Sequence, residues 1–357
     1  MDSAQNDLIF IVGCPRSGTY LFSLMLSSQL PVAVPVETHF LPLFRRFLPL
    51  WGDLNVYENR ELLLKNIYEF LKIWTPRSER ERDLGIIRQY SLLATQARRE
   101  RILKNSGSYQ DLVANLYNEF ATLHGVERFG DKSAFFRHVP LACLQKSVRK
   151  MKVIHLLRDG RDVALSWMGI WSGPETIAQA AWTWARHVRE KSEWGRRHPD
   201  KYLEIKYEDL LARPEQVMKQ VAGFLGLPAS SKPLDFHRSE LAKVLAAGAP
   251  HHLINKPLDA ENKGKWRRRM SESDLYIFER LAGRELARNG YPLASIPKRP
   301  LLAVKFAWSL LLGGICRLFS KRETGLMLKA LLPSALFLCS RCRVPLVRIL
   351  NRKIGFF

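Results

Sequence analysis

A loop of small residues around one arginine is the first part of the sequence that could bind an anion. It reads Gly-Cys-Pro-Arg-Ser-Gly-Thr-Tyr over residues 13–20 and follows the apolar run 8–12. Small residues let backbone N–H groups converge on a phosphate, and the N-terminus of the next helix adds partial positive charge. The spacing therefore predicts a phosphate-binding loop, whose candidate contacts are Pro15, Arg16, Ser17, Gly18, Thr19 and Tyr20.

The end of this loop differs from that of an ATP-binding loop. A Walker A loop ends in Gly-Lys-Ser/Thr, where the lysine reaches the outer phosphates and the hydroxyl holds Mg²⁺. Here Thr19 and Tyr20 occupy those two positions, and the cation lies inside the loop at Arg16. The loop therefore suits a single 5′-phosphate group held by N–H donors, hydroxyls and a guanidinium, without a metal. For the loop taken alone, an ordinary strand-to-helix turn is the alternative interpretation.

A second anion site is indicated by Arg158 and Ser166. Arg158 closes the predicted strand 152–157, and Ser166 falls about two turns into the predicted helix that follows. A guanidinium and a hydroxyl in this arrangement can hold one phosphate from two sides. The alternative for Arg158 is a surface ion pair with Asp159 or Asp162.

Together the two motifs resemble sulfotransferases that use 3′-phosphoadenosine-5′-phosphosulfate (PAPS). Residues 15–19 resemble the 5′-phosphosulfate loop of that family, and residues 153–166 resemble its 3′-phosphate motif. The resemblance extends over about residues 8–291 and runs closest to bacterial members, with local similarity to Golgi tyrosylprotein enzymes. It implies in-line transfer of a sulfuryl group from PAPS to a hydroxyl or amine, with the protein supplying positioning and cations.

The resemblance also implies catalytic residues. Lys132 matches a family lysine that contacts the transferring group or the leaving phosphate, and Arg16 is the other candidate cation. The cytosolic enzymes place a basic histidine two residues after that lysine, where this chain has Ala134. Golgi-type and many bacterial members use a glutamate after the first helix instead, and Glu37 matches it. We therefore expect Glu37 to be the general base, with His39 as the fallback.

Less specific alternatives stay open for both catalytic groups. Lys132 could form a surface pair with its neighbour Asp131, and Glu37 could form a salt bridge with Arg16 or Arg45.

Two later segments match the nucleotide side of the family pattern. Tyr207 begins a Tyr-Glu-Asp-Leu turn whose tyrosine contacts adenine in the family, although core packing is its alternative role. Lys265 matches a phosphate-contacting lysine in the late loop that closes over the nucleotide. Asn262 stands where the cytosolic enzymes have an arginine, and Arg267–Arg269 could form only a basic rim.

The elements around these motifs alternate between strands and helices. Strands are predicted at 8–13, 152–157 and 202–205, and helices are predicted at 20–29, 162–171, 175–194, 214–225 and 271–289. This order favours an α/β fold: a three-layer sandwich with a central parallel sheet, similar to P-loop NTPases. We assign residues 1–296 to this domain, with a helical insertion at about 58–124 in which Asp111 caps a helix over 112–123. Gly195 and Pro199 are expected to end the helix 175–194.

Charge indicates an anionic partner. The 357 residues carry 56 Lys and Arg against 34 Asp and Glu, a net charge of +22. The segment 297–357 holds 12 of the basic residues and a single acid, and its two uncharged stretches of 11 residues are too short to span a bilayer. We predict a basic amphipathic helical tail that binds an anionic membrane surface, with packing on the domain as the alternative.

Composition and the chain ends complete the prediction. Five cysteines without metal-ligand spacing indicate neither a disulfide scaffold nor a structural zinc site. The first residues lack the pattern of a secretory signal, so a cytoplasmic location is expected, peripheral to the inner membrane face. The favoured acceptor is a carbohydrate or lipid-linked glycan, with peptide tyrosine as another candidate, and no nucleic acid is expected. The alternative functions are a P-loop kinase or NTPase and a non-catalytic basic module that binds membranes or nucleic acid.

Overall fold

The computed structural model describes most of residues 8–294, together with Trp308. The ranges outside this description are 35–37, 39, 47, 75–94, 105, 127, 133–150, 171–172, 232–233, 240–241, 244–245 and 247–252. The candidate bases Glu37 and His39 and the basic tail, apart from Trp308, therefore lie outside the described residues.

A five-stranded sheet with strands β2-β3-β1-β4-β5 in spatial order forms the centre of the fold. The strands are β1 (Leu8–Gly13), β2 (Val32–Ala33), β3 (Arg128–Lys132), β4 (Met151–Leu157) and β5 (Tyr202–Lys206), and every pairing is parallel. All six residues of β1 are buried, as expected for a continuous apolar strand covered on both faces. The predicted α/β fold with a central parallel sheet is confirmed.

The register brings three functional segments to one edge of the sheet. Ile11 pairs with Lys132 of β3, and Gly13 pairs with Leu156 of β4. The carboxyl ends of β1, β3 and β4 therefore lie side by side, and the segments that follow them open at the same edge. Ligands of open α/β sheets bind at this edge, in the crevice outside the strand ends.

Helices flank the sheet. In the described part of the chain they are α1 (Thr19–Gln29), α2 (Phe40–Arg46), α3 (Tyr57–Trp74), α4 (Gln96–Lys104), α5 (Tyr109–Leu123), α6 (Gly160–Met168), α7 (Ile177–Arg197), α8 (Tyr207–Ala212), α9 (Pro214–Leu225), α10 (Trp266–Arg269) and α11 (Glu272–Arg288). One apolar core joins the sheet to α1, α3, α5 and α9, and a second lies among α6, α7 and α11. Among the described residues, no helix combines the length and the apolar character needed to cross a membrane.

The predicted end of helix α7 at Gly195 is wrong. The helix continues through Gly195 to Arg197 before a 3₁₀ turn begins at Pro199. A Cβ atom at position 195 would lie only 2.4 Å from the ring of Tyr202. The glycine therefore lets strand β5 approach the helix, and it does not interrupt the helix.

Other predictions of local structure also need correction. The cap of α5 is Ser108, whose Oγ accepts the backbone N–H of Asp111 at 3.2 Å, so the helix begins before the predicted cap at Asp111. Ser271 caps α11 in the same way, because its Oγ accepts the N–H of Asp274 at 3.1 Å. Strand β3 was not expected, because three of its five residues are charged.

Candidate active site

The loop between β1 and α1 has an unusual backbone. Arg16 has φ 74° and Gly18 has φ 91°, so both lie in the left-handed region. This region is uncommon for a residue with a Cβ atom, and such conformations concentrate at ligand sites. The N–H of Ser17 donates to the carbonyl of Cys14 at 3.1 Å and closes the turn. Gly18 is the N-cap of α1, so the loop leads into a helix N-terminus as the spacing predicted.

The hydroxyl of Ser17 is a buried polar group without a protein partner. Ser17 is 1% exposed, and its Oγ has no hydrogen bond within the described residues. Buried hydroxyls are normally satisfied, so such an atom in an anion-type loop is consistent with a ligand oxygen as its partner. Thr19 is buried beside it at the start of α1.

Hydrogen bonds join the two predicted anion motifs directly. The Nε of Arg16 donates to the Oγ of Ser166 at 3.1 Å. The Nη1 of Arg158 donates to the backbone carbonyl of Arg16 at 3.2 Å. The structure thus brings Arg16, Arg158 and Ser166 together, and the side chain of Arg16 extends toward the second motif.

Arg158 and Tyr207 form one wall of this site. The guanidinium of Arg158 lies 4.2 Å from the centroid of the Tyr207 ring, and its Nη2 donates to the carbonyl of Asn262 at 3.1 Å. The amide of Asn262 donates to the Tyr207 hydroxyl at 3.0 Å. The same ring lies against Gly18, where a Cβ atom would be 2.6 Å from it. Burial raises the pKa of Tyr207, so the phenol is neutral at physiological pH.

Arg158 is not part of the surface ion pair considered as its alternative. Asp159 instead binds Arg161, with its Oδ2 at 2.7 Å from Nη2. Asp162 accepts backbone N–H groups of the late loop. Arg158 is only 7% exposed, and no described carboxylate forms a salt bridge with it.

Lys132 lies at the end of β3 on the neighbouring side of the loop. It is 1% exposed, and its Nζ lies 3.0 Å from the centroid of the Tyr20 ring. Its neighbour Asp131 is fully buried and accepts hydrogen bonds from the hydroxyls of Thr38, at 2.8 Å, and Tyr117. The surface pair considered for Lys132 and Asp131 is therefore wrong.

The late loop reaches the site through Asn262. Lys265 is half-buried at the N-terminus of α10, and Arg267–Arg269 are exposed, as expected for a basic rim. Arg161 and Asp162, which were not among the predicted site residues, contact this loop. The spacing of Asp162 from Ser166 in the sequence could have indicated that Asp162 lies near the site. It lies four residues before Ser166, and residues at that spacing share a helix face.

A second group of ionisable side chains lies beneath the loop. Lys191 of α7 is fully buried, and its Nζ lies 3.0 Å from the Nδ1 of His187. Burial lowers the pKa of Lys191 to about 8 and raises the pKa of the Cys14 thiol to about 12, so Cys14 is not a thiolate. Burial also lowers the pKa of His155, whose Nδ1 lies 3.1 Å from Glu204 Oε2. The charge of Lys191 acts in the direction of lowering the pKa of both Cys14 and His155, so these side chains lie close enough to interact.

Comparisons with known proteins agree with this architecture. The sulfotransferase domain of the olefin synthase of Synechococcus PCC 7002 has a TM-score of 0.53 and 25% identity, over 76% of this chain and 91% of that domain. Sulfotransferase 1A1 of Rattus norvegicus is 27% identical over 127 residues, 30% of this chain and 43% of that protein. An uncharacterized protein of Aquifex aeolicus is 26% identical over 270 residues, 73% of this chain and 30% of that protein.

The chain spans less than half the length of the curated relatives that it matches. The family model of the sulfotransferase family matches residues 7–231, which contain the anion loop, Lys132, Arg158 and Tyr207. The resemblance seen in the two motifs is confirmed, and the chain belongs to the sulfotransferase family.

Proposed function

We propose that this chain transfers a sulfuryl group from PAPS to a hydroxyl or amine acceptor. One observation carries the proposal: Arg158 is a buried cation that no described carboxylate neutralises. Arg161, three residues later, is fully buried and is neutralised by Asp159 and Glu279, each at 2.7 Å. A buried charge without a counter-ion is costly, so a nearby anionic ligand is its expected partner.

The groups present fit a nucleotide with two separated anions. Residues 15–20 would hold the 5′-phosphosulfate, with the unsatisfied Oγ of Ser17 as one donor. Arg158 and Ser166 would hold the 3′-phosphate, Tyr207 would contact the adenine, and Lys265 would contact a phosphate. Tyr20 stands where an ATP-binding loop has its metal-holding hydroxyl, so this assignment includes no metal.

The chemistry is a displacement in which PAPS supplies the activated sulfuryl group. The sulfur–oxygen bond to the 5′-phosphate breaks while a sulfur–oxygen or sulfur–nitrogen bond to the acceptor forms, and 3′-phosphoadenosine-5′-phosphate (PAP) leaves. Lys132 and Arg16 stabilise the charge that collects on the leaving oxygen. Glu37 takes the proton that the acceptor loses.

The acceptor class that we propose is a carbohydrate or lipid-linked glycan. The basic segment 297–357 supports an acceptor at an anionic membrane surface, where the tail would hold the enzyme. Peptide tyrosine is the competing acceptor class.

Two measurements test the function. PAP should raise the melting temperature of the full chain without Mg²⁺, because a ligand that binds only the folded state stabilises it. A larger shift with ATP and Mg²⁺ would favour a kinase or NTPase, and no shift with either would refute nucleotide binding. Transfer of labelled sulfate from PAPS should then be screened across glycans, glycolipids and tyrosine peptides. No transfer to any hydroxyl or amine acceptor by PAP-binding protein would contradict the proposed activity.

A further inference from the structure

Asp162 holds the late loop against the first turn of α6 through both of its carboxylate oxygens. Oδ2 accepts the backbone N–H of Gly264 at 2.6 Å, and Oδ1 accepts the N–H of Trp266 at 2.9 Å. Asp162 is 2% exposed. Two charge-assisted bonds to one buried carboxylate fix the backbone of the loop more firmly than neutral bonds would.

Arg161 strengthens the same attachment. Its guanidinium carbon lies 3.6 Å from the centroid of the Trp266 ring. Asp159 and Glu279 hold the guanidinium in place, and Glu279 also accepts the N–H of Ala294 at 3.0 Å. The first turn of α6 therefore clamps both the backbone and one ring of the loop.

The other end of the loop belongs to the candidate nucleotide site. Asn262 accepts a hydrogen bond from Arg158 through its carbonyl and donates one to Tyr207 through its amide. Only Lys263 separates Asn262 from Gly264, the first residue that Asp162 binds. The position of Asn262 over Arg158 and Tyr207 is thus set by the attachment to Asp162.

The positive charge of the loop opposes its docking beside Arg158 before a nucleotide binds. Lys263, Lys265 and Arg267–Arg269 give the loop and α10 a strong positive charge, and the loop lies beside the buried cation Arg158. Without an anion in the site, these charges repel one another and favour an open loop. Asp162 is a buried carboxylate that opposes this repulsion at the base of the loop.

We propose that Asp162 is a positioning residue that docks the loop 262–266 over the nucleotide site before the nucleotide arrives. The inference rests on the proposed function for the identity of the nucleotide. Because the loop is already in place, binding does not have to order it, and this preorganisation increases affinity for the donor and for PAP. The role concerns nucleotide affinity and not the protonation of the acceptor.

The variant Asp162→Asn tests this role with almost no change in shape. An amide has one acceptor oxygen, so its NH₂ group would face the N–H of either Gly264 or Trp266. We expect trypsin to cleave ligand-free variant faster than wild type after Lys263 and Lys265, with cleavage elsewhere unchanged. We also expect PAP to bind at least about tenfold more weakly, the effect of one lost bond to a charged group. Asp274→Asn is the matched control, because it makes the same substitution at a half-buried acid in the first turn of another helix, α11.

The outcomes separate the two proposals. Unchanged cleavage after Lys263 and Lys265 would overturn the docking role, and so would faster cleavage with unchanged PAP affinity. Failure of the wild-type protein to bind PAP would instead refute the proposed function. If the variant does not fold, hydrogen exchange of the ligand-free wild type still decides the matter. The amides of Gly264 and Trp266 should exchange more slowly than that of Lys263, and equal rates would overturn the docking role.

Discussion

Replacement of Arg158 by alanine should weaken the binding of PAP far more than the binding of adenosine 5′-phosphate. The guanidinium is 7% exposed, is stacked on Tyr207, and has a buried Nε without a hydrogen-bond partner in the described structure. A hydrogen bond to a charged group contributes about 1.5–3 kcal/mol. A factor of ten in affinity corresponds to about 1.4 kcal/mol, so the loss of one such bond to the 3′-phosphate weakens PAP binding about 10- to 150-fold.

The comparison between the two nucleotides isolates the 3′-phosphate. Arg158 also donates to the carbonyls of Arg16 and Asn262, so its removal disturbs the site for any adenylate. Adenosine 5′-phosphate has no 3′-phosphate and reports only this disturbance. Isothermal titration calorimetry should compare the ratio of the two dissociation constants in wild type, Arg158→Ala and the exposed-surface control Arg213→Ala. Equal weakening of both nucleotides, or unchanged PAP binding, would refute the assignment of Arg158 to the 3′-phosphate.

Three further predictions concern other parts of the fold. The pKa of Lys191 is lowered by burial from 10.5 to about 8, so the unfolded chain binds more protons between these values and stability rises with pH across this window. Urea unfolding should measure the free energy of unfolding of Lys191→Met minus that of wild type, and this difference should fall by about 2–3 kcal/mol between pH 7 and pH 10. A difference that does not change with pH would contradict the burial of a charged amine. Gly195→Ala should destabilise the fold by about 1–3 kcal/mol, because its Cβ would meet the Tyr202 ring. Gly223→Ala is the control, because the space around its Cβ is open and no destabilisation is expected. Equal melting temperatures of the two variants would argue against the close approach of Tyr202 to Gly195. Glu37→Gln should abolish sulfate transfer and leave the dissociation constant of PAP nearly unchanged, and an active variant would exclude Glu37 as the base.

The sequence predicted the centre of the sheet because the signal there is local. Strand β1 is a continuous apolar run and β4 is mostly apolar, and the anion loop and Arg158 follow directly from the ends of these strands. Parallel strands place their carboxyl ends at one edge, so the meeting of the two motifs follows from the predicted topology. The side-chain bond from Arg16 to Ser166 does not follow, because it depends on a left-handed φ at a non-glycine residue.

Strand β3 and the role of Asp162 could not be predicted from neighbouring residues. Asp131 and Lys132 make β3 look like a polar loop. In the fold, the hydroxyls of Thr38 and Tyr117 bind Asp131 and the ring of Tyr20 lies against Lys132, so distant residues stabilise these buried charges. The partners of Asp162 are backbone N–H groups more than one hundred residues later in the chain. Almost every residue type has a backbone N–H, so the sequence does not mark which residues will donate to Asp162. Their position depends entirely on the tertiary fold.

Two arginines that are three residues apart at the start of α6 differ in whether carboxylates neutralise their charge. The charge of Arg161 is neutralised by two carboxylates, and its guanidinium lies against the Trp266 ring, so this residue stabilises the fold. Arg158 stands just before the helix and donates to two backbone carbonyls, so no described carboxylate neutralises its charge. Asp162 and Ser166 lie four residues apart on α6 and make different contacts: Asp162 accepts two backbone N–H groups of the late loop, and Ser166 accepts a hydrogen bond from Arg16. A substitution in the first turn of α6 should therefore alter nucleotide affinity even when the substituted residue never touches the nucleotide.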